Sequence, residues 1–114
     1  MNKKIKTILV AEDDRTTRSV IKKVLENDGY NVIEGDRGEK SLFLALEKDV
    51  DAFLLDINMP GLSGIEICER IRSIDRYKFT PIICITSLGE ESNLEEVFAS
   101  GATDFISKPA NPII

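Results

Sequence analysis

The sequence predicts one α/β domain whose parallel sheet is covered by helices on both faces. Apolar runs typical of buried strands alternate along the 114 residues with segments whose apolar residues recur at helical spacing. Strands that are apolar throughout are typical of parallel sheets buried on both sides. Right-handed crossovers between such strands favour a doubly wound sheet.

Three strands and two helices are predicted in the first half of the chain. The strands are Ile8–Ala11, Asn31–Glu34 and the apolar run that ends at Asp56. Gly29 is a natural stop for the first helix, and the second ends near Asp49. The apolar residues that mark these helices are Val20, Ile21, Val24 and Leu25 in the first and Leu42, Ala45 and Leu46 in the second.

The second half continues the alternation with two helices and two strands. Ser63 is the candidate N-cap of the third helix, and Gly101 stops the fourth. The strands are Pro81–Ile85 and Ala102–Ser107. The helical apolar residues, all predicted to face the core, are Ile67, Cys68, Ile71 and Ile74 in the third helix and Leu94, Val97 and Phe98 in the fourth.

Asp56 is the most informative residue, because it ends a buried strand where a turn begins. Met59-Pro60-Gly61 stops the strand, since proline cannot donate to a ladder and glycine opens turn conformations. Open α/β sheets bind ligands outside the carboxyl ends of their strands. The alternative is an aspartate that only starts a turn.

The first strand ends in the same way, at Glu12-Asp13-Asp14. Adjacent carboxylates repel one another and usually lie scattered on a solvated surface. At a strand end they suggest a hard cation, because Mg²⁺ takes oxygen ligands that include one or two carboxylates. Together with Asp56 they predict an acidic pocket shared by two strands.

The last two strands end in groups that complement this pocket. The fourth ends at Thr86-Ser87 and the fifth at Lys108-Pro109. A hydroxyl can donate a hydrogen bond to a phosphoryl oxygen, and an ammonium adds positive charge to an anionic site. Taken singly, these would be an ordinary strand-end hydroxyl and a solvated lysine.

Together these residues resemble the five-part pattern of bacterial response-regulator receiver domains, over essentially the whole chain and in the same order. The resemblance implies a flavodoxin-like sheet of order 2-1-3-4-5. It implies that Asp56 accepts a phosphoryl group from the phosphohistidine of a sensor histidine kinase or phosphotransfer protein, with Lys108 contacting that group. The implied cofactor is Mg²⁺, and the implied partner beyond the kinase is an output domain or downstream protein.

Further roles are carried over from the family residue by residue. Asp13 would bind Mg²⁺ directly, Glu12 through water, and Asn58 through its backbone carbonyl, beside Asp56. Thr86 and Phe105 match the family's switch pair. Ser87 stands where alanine is frequent and Phe105 where tyrosine often stands, so the aromatic switch residue lacks a hydroxyl.

Two other functions fit parts of the pattern. A phosphatase of the haloacid-dehalogenase type also uses a strand-end aspartate, Mg²⁺, Thr or Ser, and Lys. Its second carboxylate normally lies two residues after the nucleophile, where this chain has Asn58. A degenerate receiver acting only as an interaction module is the other alternative. The favoured hypothesis is a phosphoacceptor signalling domain that is not an enzyme and catalyses only its own phosphorylation and dephosphorylation.

Composition excludes several other classes. The net charge of −5 argues against direct nucleic-acid binding, and the absence of histidine excludes an internal phosphohistidine. No apolar run is long enough for a membrane span, and Met1-Asn2-Lys3-Lys4 does not resemble a signal peptide. Cys68 and Cys84 are predicted to be reduced core residues. We therefore expect a cytoplasmic protein.

Residues 1–114 are expected to form one receiver domain that stops before or at the family's fifth helix. Only six residues follow Lys108. The preferred interpretation is a chain cut short of its natural end. A helix that is truly missing would leave apolar surface beside the first helix uncovered and favour a homodimer.

Overall fold

The sheet has five parallel strands in the order β2-β1-β3-β4-β5. The computed structural model describes residues 4–86 and 94–108. The strands are β1 Thr7–Ala11, β2 Asn31–Gly35, β3 Ala52–Asp56, β4 Ile82–Thr86 and β5 Asp104–Ser107, and the helices are α1 Arg15–Asn27, α2 Gly38–Glu47, α3 Gly64–Arg72 and α4 Leu94–Ala99. The predicted α/β class and strand order are confirmed.

Helices cover both faces of the sheet, as predicted for strands that are apolar throughout. Alternate residues of a strand point to opposite faces. Phe53, Leu55 and Cys84 belong to the main hydrophobic core, which also takes in buried residues of α2, α3 and α4. Leu54 and Ile85 instead line a groove on the α1 face.

The helix α1 does not bury its apolar stripe as predicted. Val20 is 58% exposed and Val24 57%, and no residue of α1 is buried. The other two apolar residues of the stripe, Ile21 and Leu25, are half-buried. Within residues 4–86 and 94–108, no second element covers the outer part of this stripe. The prediction that every stripe faces the core is therefore wrong for α1, and it is also wrong for Leu46 of α2 and Phe98 of α4, which are 52% and 46% exposed.

The start of α3 is held tightly against the end of β3. Ser63 accepts a hydrogen bond from the Glu66 N–H and the Glu66 side chain accepts one from the Ser63 N–H, so the predicted N-cap is confirmed as a capping box. A Cβ on Gly64 would lie 2.4 Å from the Asp56 carbonyl oxygen. Only glycine allows the helix to begin this close to the strand end. Ile74, predicted in this helix, follows its C-cap Ser73.

One guanidinium connects several elements at the opposite end of the sheet, where β4 and β5 begin. Arg72 Nε donates to the Gly101 carbonyl at 2.8 Å, and Nη1 donates to the Tyr77 and Thr80 carbonyls at 2.7 and 2.6 Å. Its Nη2 lies 3.2 Å from Thr103 Oγ1. Thr103 in turn accepts a hydrogen bond from the first N–H of β4 at 3.1 Å.

Some predicted features lie outside the described residues. Ser87 and Pro109 are two of them. The chain after Lys108, where the family's fifth helix would begin, is a third. No described helix is long and apolar enough to cross a membrane.

Candidate functional site

Three predicted acidic residues meet at the carboxyl ends of β1 and β3. These strands are direct neighbours, with Ala11 paired to Leu55, so the residues that follow lie side by side. Glu12, Asp13 and Asp56 each place a carboxylate oxygen within 4.8 Å of the other two. Glu12 and Asp56 are buried, whereas Asp13 is exposed. The predicted two-strand acidic pocket is therefore present.

Lys108 places a positive charge beside the two buried carboxylates of the pocket. Its Nζ donates to Asp56 Oδ2 at 3.0 Å and lies 3.3 Å from Glu12 Oε1. The position follows from the backbone, because the Lys108 N–H donates to the Thr86 carbonyl at 2.7 Å and so extends the β4–β5 pairing by one step. One ammonium among three carboxylates leaves a negative pocket, which suits a divalent cation.

Backbone N–H groups fix the two buried carboxylates. The Asn58 N–H donates to Asp56 Oδ1 at 3.1 Å, and the Asp14 N–H donates to Glu12 Oε2 at 3.0 Å. Each of these bonds reaches two residues back along its own loop. The loops after β1 and β3 therefore orient the carboxylates before any ligand arrives.

Burial shapes the protonation of the pocket. Burial, then a hydrogen bond with Asp56, raises the pKa of Glu12 to about 7, against the lowering effects of the Asp14 N–H and the Lys108 charge. Burial alone would lower the pKa of Lys108. Its hydrogen bond and attraction to Asp56, and the charge of Glu12, outweigh that effect and raise the pKa. The pocket thus keeps Lys108 charged and makes the ionised form of Glu12 costly.

Two buried oxygens at or just after strand ends lack a hydrogen-bond partner among the described residues. They are Glu12 Oε1, which lies 3.3 Å from Lys108 Nζ, and Thr86 Oγ1. Buried polar atoms are nearly always paired, so such atoms point to a ligand. The oxygen-rich donor set and the unpaired carboxylate oxygen fit a bound hard cation.

Thr86 and Phe105 lie on one face of the β4–β5 pair but are not directly opposite each other. Thr86 pairs with Ser107, whereas Phe105 pairs with Cys84, two residues earlier on β4. The period of two puts Thr86, Cys84 and Phe105 on the same face. The Phe105 ring packs edge-to-face on Phe98 of α4, with centroids 6.0 Å apart. The two switch-pair residues are therefore diagonal neighbours on adjacent strands.

Two residues near the pocket have roles that the sequence reasoning missed. Asp14 stays out of the cluster and caps α1, accepting from the Thr17 N–H at 2.8 Å. The signal was its place one residue before the helix. Arg18 donates to the Glu12 carbonyl at 2.9 Å and to Glu34 at 3.1 Å, which ties α1 to the acidic loop. No spacing rule predicts that contact.

The family comparison agrees with this geometry. The sequence profile described as response regulator receiver domain matches residues 8–113. The chain belongs to the response regulator receiver family. It is thus the receiver domain of a two-component signalling protein, with its acidic cluster where two strands end.

Two transcriptional regulatory proteins are similar in sequence to this receiver domain. The transcriptional regulatory proteins ResD of Bacillus subtilis and SrrA of Staphylococcus aureus are 40% and 37% identical over 105 residues, which are 92% of this chain and 42% of each relative. The receiver domain thus spans less than half the length of these relatives.

Solved structures of receivers superpose closely. The chemotaxis regulator CheY4 of Vibrio cholerae has a TM-score of 0.89 at 31% identity, covering 96% of this chain and 91% of that one. The response regulator TrrA of Thermotoga maritima, solved in complex with Mg²⁺ and BeF, has a TM-score of 0.81 at 31% identity, covering 94% and 90%.

Proposed function

We propose that this domain accepts a phosphoryl group on Asp56 in a Mg²⁺-dependent reaction and passes the change to an output domain or partner. The observation that carries the proposal is the buried Asp56 carboxylate, held by Lys108 at 3.0 Å and by the Asn58 N–H at 3.1 Å. These donors orient Asp56 toward the site as a nucleophile.

The donor would be the phosphohistidine of a sensor histidine kinase or phosphotransfer protein. A carboxylate oxygen of Asp56 forms the new bond to phosphorus as the bond to the donor's imidazole nitrogen breaks. Lys108 would then contact the transferred group, which carries about two negative charges and offers three acceptor oxygens. The domain would catalyse only its own phosphorylation and dephosphorylation.

Glu12, Asp13, Asp56 and the Asn58 carbonyl would hold the cation, with Asp13 in direct contact and Glu12 acting through water. When bound, Mg²⁺ would offset the negative charge of the carboxylates and of the transferred group. Asp13 suits direct contact because its exposed carboxylate reaches the cluster without a competing ion pair to Lys108.

The proposed setting is the cytoplasm, where two buried free cysteines would stay reduced. The half-exposed side of α1 and the neighbouring groove lined by Ile21, Ile85 and Ile106 offer apolar surface. A homodimer formed through that surface is part of this proposal. The acidic net charge argues against direct contact with nucleic acid by this domain.

The phosphorylation proposal is tested by treating the protein with a small phosphodonor such as acetyl phosphate. We expect one base-labile acyl phosphate per chain, formed only with Mg²⁺ and mapped to the peptide that contains Asp56. A chain that stays unlabelled would favour a phosphorylation-independent interaction module. Turnover of a phosphomonoester at catalytic rates would instead favour a phosphatase.

The metal ligands should differ in importance. We expect Asp13→Ala to weaken Mg²⁺ binding more than Glu12→Ala, because loss of a group that orients water around a metal typically costs about 10- to 100-fold in affinity and loss of a direct ligand costs more. Calorimetric titration of both variants at pH 8 measures this, with the exposed Asp28→Ala as control. Equal or reversed losses would refute the ranking.

The switch residues should be coupled through Thr86 Oγ1. New phosphoryl oxygens would give that unpaired hydroxyl an acceptor and draw it toward the site, leaving room for Phe105. We expect Thr86→Ala to keep phosphorylation within a few-fold of wild type but to abolish the response of the Phe105 ring.

Aromatic side-chain NMR of Phe105 with beryllofluoride, a phosphoryl mimic, measures this coupling. Thr80→Ala is the matched control, because Thr80 lies just before the opposite end of β4. Identical ring responses in wild type and Thr86→Ala would show that the two residues are not coupled.

A further inference from the structure

The backbone of Glu12 is held from two sides by neighbouring elements. Its N–H donates to the Gly35 carbonyl at the end of β2 at 3.0 Å, and its carbonyl accepts a hydrogen bond from Arg18 Nη1 of α1 at 2.9 Å. That carbonyl belongs to the same planar peptide group as the Asp13 N–H. Arg18 therefore fixes the orientation of the peptide from which Asp13 starts.

Arg18 is itself held in place by an acidic residue of β2. Its Nε donates to Glu34 Oε1 at 3.1 Å, and the other carboxylate oxygen of Glu34 lies 3.4 Å from Lys22 Nζ. Arg18 and Lys22 are four residues apart on α1, so both reach the same side of the helix. The Arg18 side chain is only 15% exposed, so water competes little for its two hydrogen bonds.

Asp13 depends on this backbone more than the two buried carboxylates of the pocket do. Glu12 Oε2 and Asp56 Oδ1 each accept a hydrogen bond from a backbone N–H of their own loop. The Asp13 carboxylate is exposed, so its place in the cluster follows chiefly from the backbone that carries it. Because Mg²⁺ demands near-ideal octahedral geometry, a small displacement of such a ligand weakens binding.

We propose that Arg18, oriented by Glu34, is a positioning residue that sets the affinity of the acidic pocket for Mg²⁺. Arg18 acts through the backbone of Glu12 and does not contact the cation. Its planar guanidinium reaches an acceptor on β2 and another on the loop after β1 with a fixed spacing, which a lysine ammonium cannot reproduce. The inference rests on the proposed Mg²⁺-dependent function and assigns a residue outside the acidic cluster to it.

Positioning and simple electrostatics predict opposite effects of removing Arg18. By charge alone, loss of a positive group near a cation site strengthens cation binding. We expect the reverse: Arg18→Gln should bind Mg²⁺ about 10-fold more weakly than wild type, because loss of a group that orients metal ligands has a cost of this size. Arg18→Lys should also bind more weakly, although it keeps the charge.

Calorimetric titration of the folded variants at pH 8 measures these affinities, and Arg15→Gln is the matched control. Arg15 is exposed at the first position of α1 and carries the same charge. Its variant should bind Mg²⁺ at least as tightly as the wild type. Circular dichroism establishes that each variant is folded. Wild-type affinity in Arg18→Gln or in Arg18→Lys would overturn the proposal.

Two further measurements separate a displaced loop from general damage to the site. Ca²⁺ accepts irregular oxygen geometry, so Arg18→Gln should lose less affinity for Ca²⁺ than for Mg²⁺. In metal-free protein, the carbonyl ¹³C resonance of Glu12 should shift in both Arg18 variants and stay unchanged in Arg15→Gln, because it reports the hydrogen bond from Nη1. Equal losses for the two cations, or an unmoved resonance, would overturn the positioning role.

A double-mutant cycle tests the part of Glu34. Glu34→Gln keeps an acceptor for Arg18 Nε and should bind Mg²⁺ nearly as tightly as the wild type, whereas Glu34→Ala should bind several-fold more weakly. In the Arg18→Gln background, Glu34→Ala should cause no further loss, because the contact that it supports is already gone. Additive losses would show that Glu34 does not act through Arg18.

Labelling with acetyl phosphate separates this inference from the proposed function. Arg18→Gln should label at a near-wild-type rate when Mg²⁺ is saturating and more slowly when Mg²⁺ is limiting. A slow rate that saturating Mg²⁺ does not restore would overturn a role in affinity. A wild-type domain that neither binds Mg²⁺ nor labels would overturn the proposed function, whereas a wild type that does both, with unchanged Arg18 variants, would overturn only the role of Arg18.

Discussion

Replacing Asp56 by asparagine is expected to abolish acyl-phosphate formation with acetyl phosphate and Mg²⁺. The substitution keeps the size of the side chain and its acceptor for the Asn58 N–H, but an amide is not a nucleophile toward phosphorus. Lys108 keeps its second carboxylate partner, Glu12, at 3.3 Å, so the pocket should stay assembled. The loss of labelling would then report chemistry and not unfolding.

Phosphate incorporation after gel filtration measures this result, and Asp28→Asn is the control. Asp28 is an exposed aspartate at the C-cap of α1, far along the chain from the pocket. Its variant should label like the wild type. If Asp56→Asn labels at the wild-type level, another residue is the acceptor and the assignment fails.

The second large effect should come from Glu12→Gln in metal-free protein. The pKa of Glu12 rises from its ordinary value of 4.5 to about 7 in the folded domain, so the folded state binds this proton more tightly than the unfolded chain. Stability contributed by the protonated group is therefore fully present below pH 4.5 and is lost as the pH rises to about 7. The loss amounts to at most about 3 kcal/mol.

Glutamine resembles the protonated carboxyl and does not titrate. In EDTA at pH 8, Glu12→Gln should therefore raise the free energy of unfolding by up to about 3 kcal/mol, and at pH 4 the two proteins should be alike. Urea unfolding across this pH range measures the difference, with the exposed Glu26→Gln as control. Parallel stability curves for wild type and Glu12→Gln would show that the burial of Glu12 carries no such cost.

At pH 8, added Mg²⁺ should make the wild type more stable to unfolding than Glu12→Gln. A cation that binds only the folded state stabilises it in proportion to the logarithm of its concentration above Kd. Wild type should gain more than Glu12→Gln, because the variant loses a carboxylate from the pocket. The ionised Glu12 carboxylate thus destabilises the metal-free domain and, in return, strengthens its binding of the cation.

Much of the pocket could be predicted because strand ends are marked locally. Asp56 and Glu12-Asp13 follow apolar runs, and parallel strands bring their carboxyl ends to one edge. Which strands are neighbours is not local information. The pairing of β1 with β3, which puts Glu12 beside Asp56, was available only through the family resemblance.

Other features depend on how the elements pack together, and the pattern of residues in the sequence could not predict them. The helical spacing of Val20 and Val24 shows which side of α1 is apolar, but not how much of that side the neighbouring elements cover. The register pairs Phe105 with Cys84, two residues before Thr86, and no residue pattern in the two strands specifies that register. No sequence pattern marks Arg72, because two of its partners, Gly101 and Thr103, lie 29 and 31 residues away along the chain.

The contacts of Arg72 have a mechanical consequence for the edge of the sheet. One guanidinium anchors the beginnings of β4 and β5 through Thr80, Gly101 and Thr103, while Thr86 and Lys108 lie at the far ends of the same two strands. Arg72 therefore holds the two strands together at one end, and the other end has no such side-chain contact among the residues described above. We therefore expect a displacement that starts at the acidic pocket to be larger at Thr86 and Lys108 than at the ends of β4 and β5 held by Arg72.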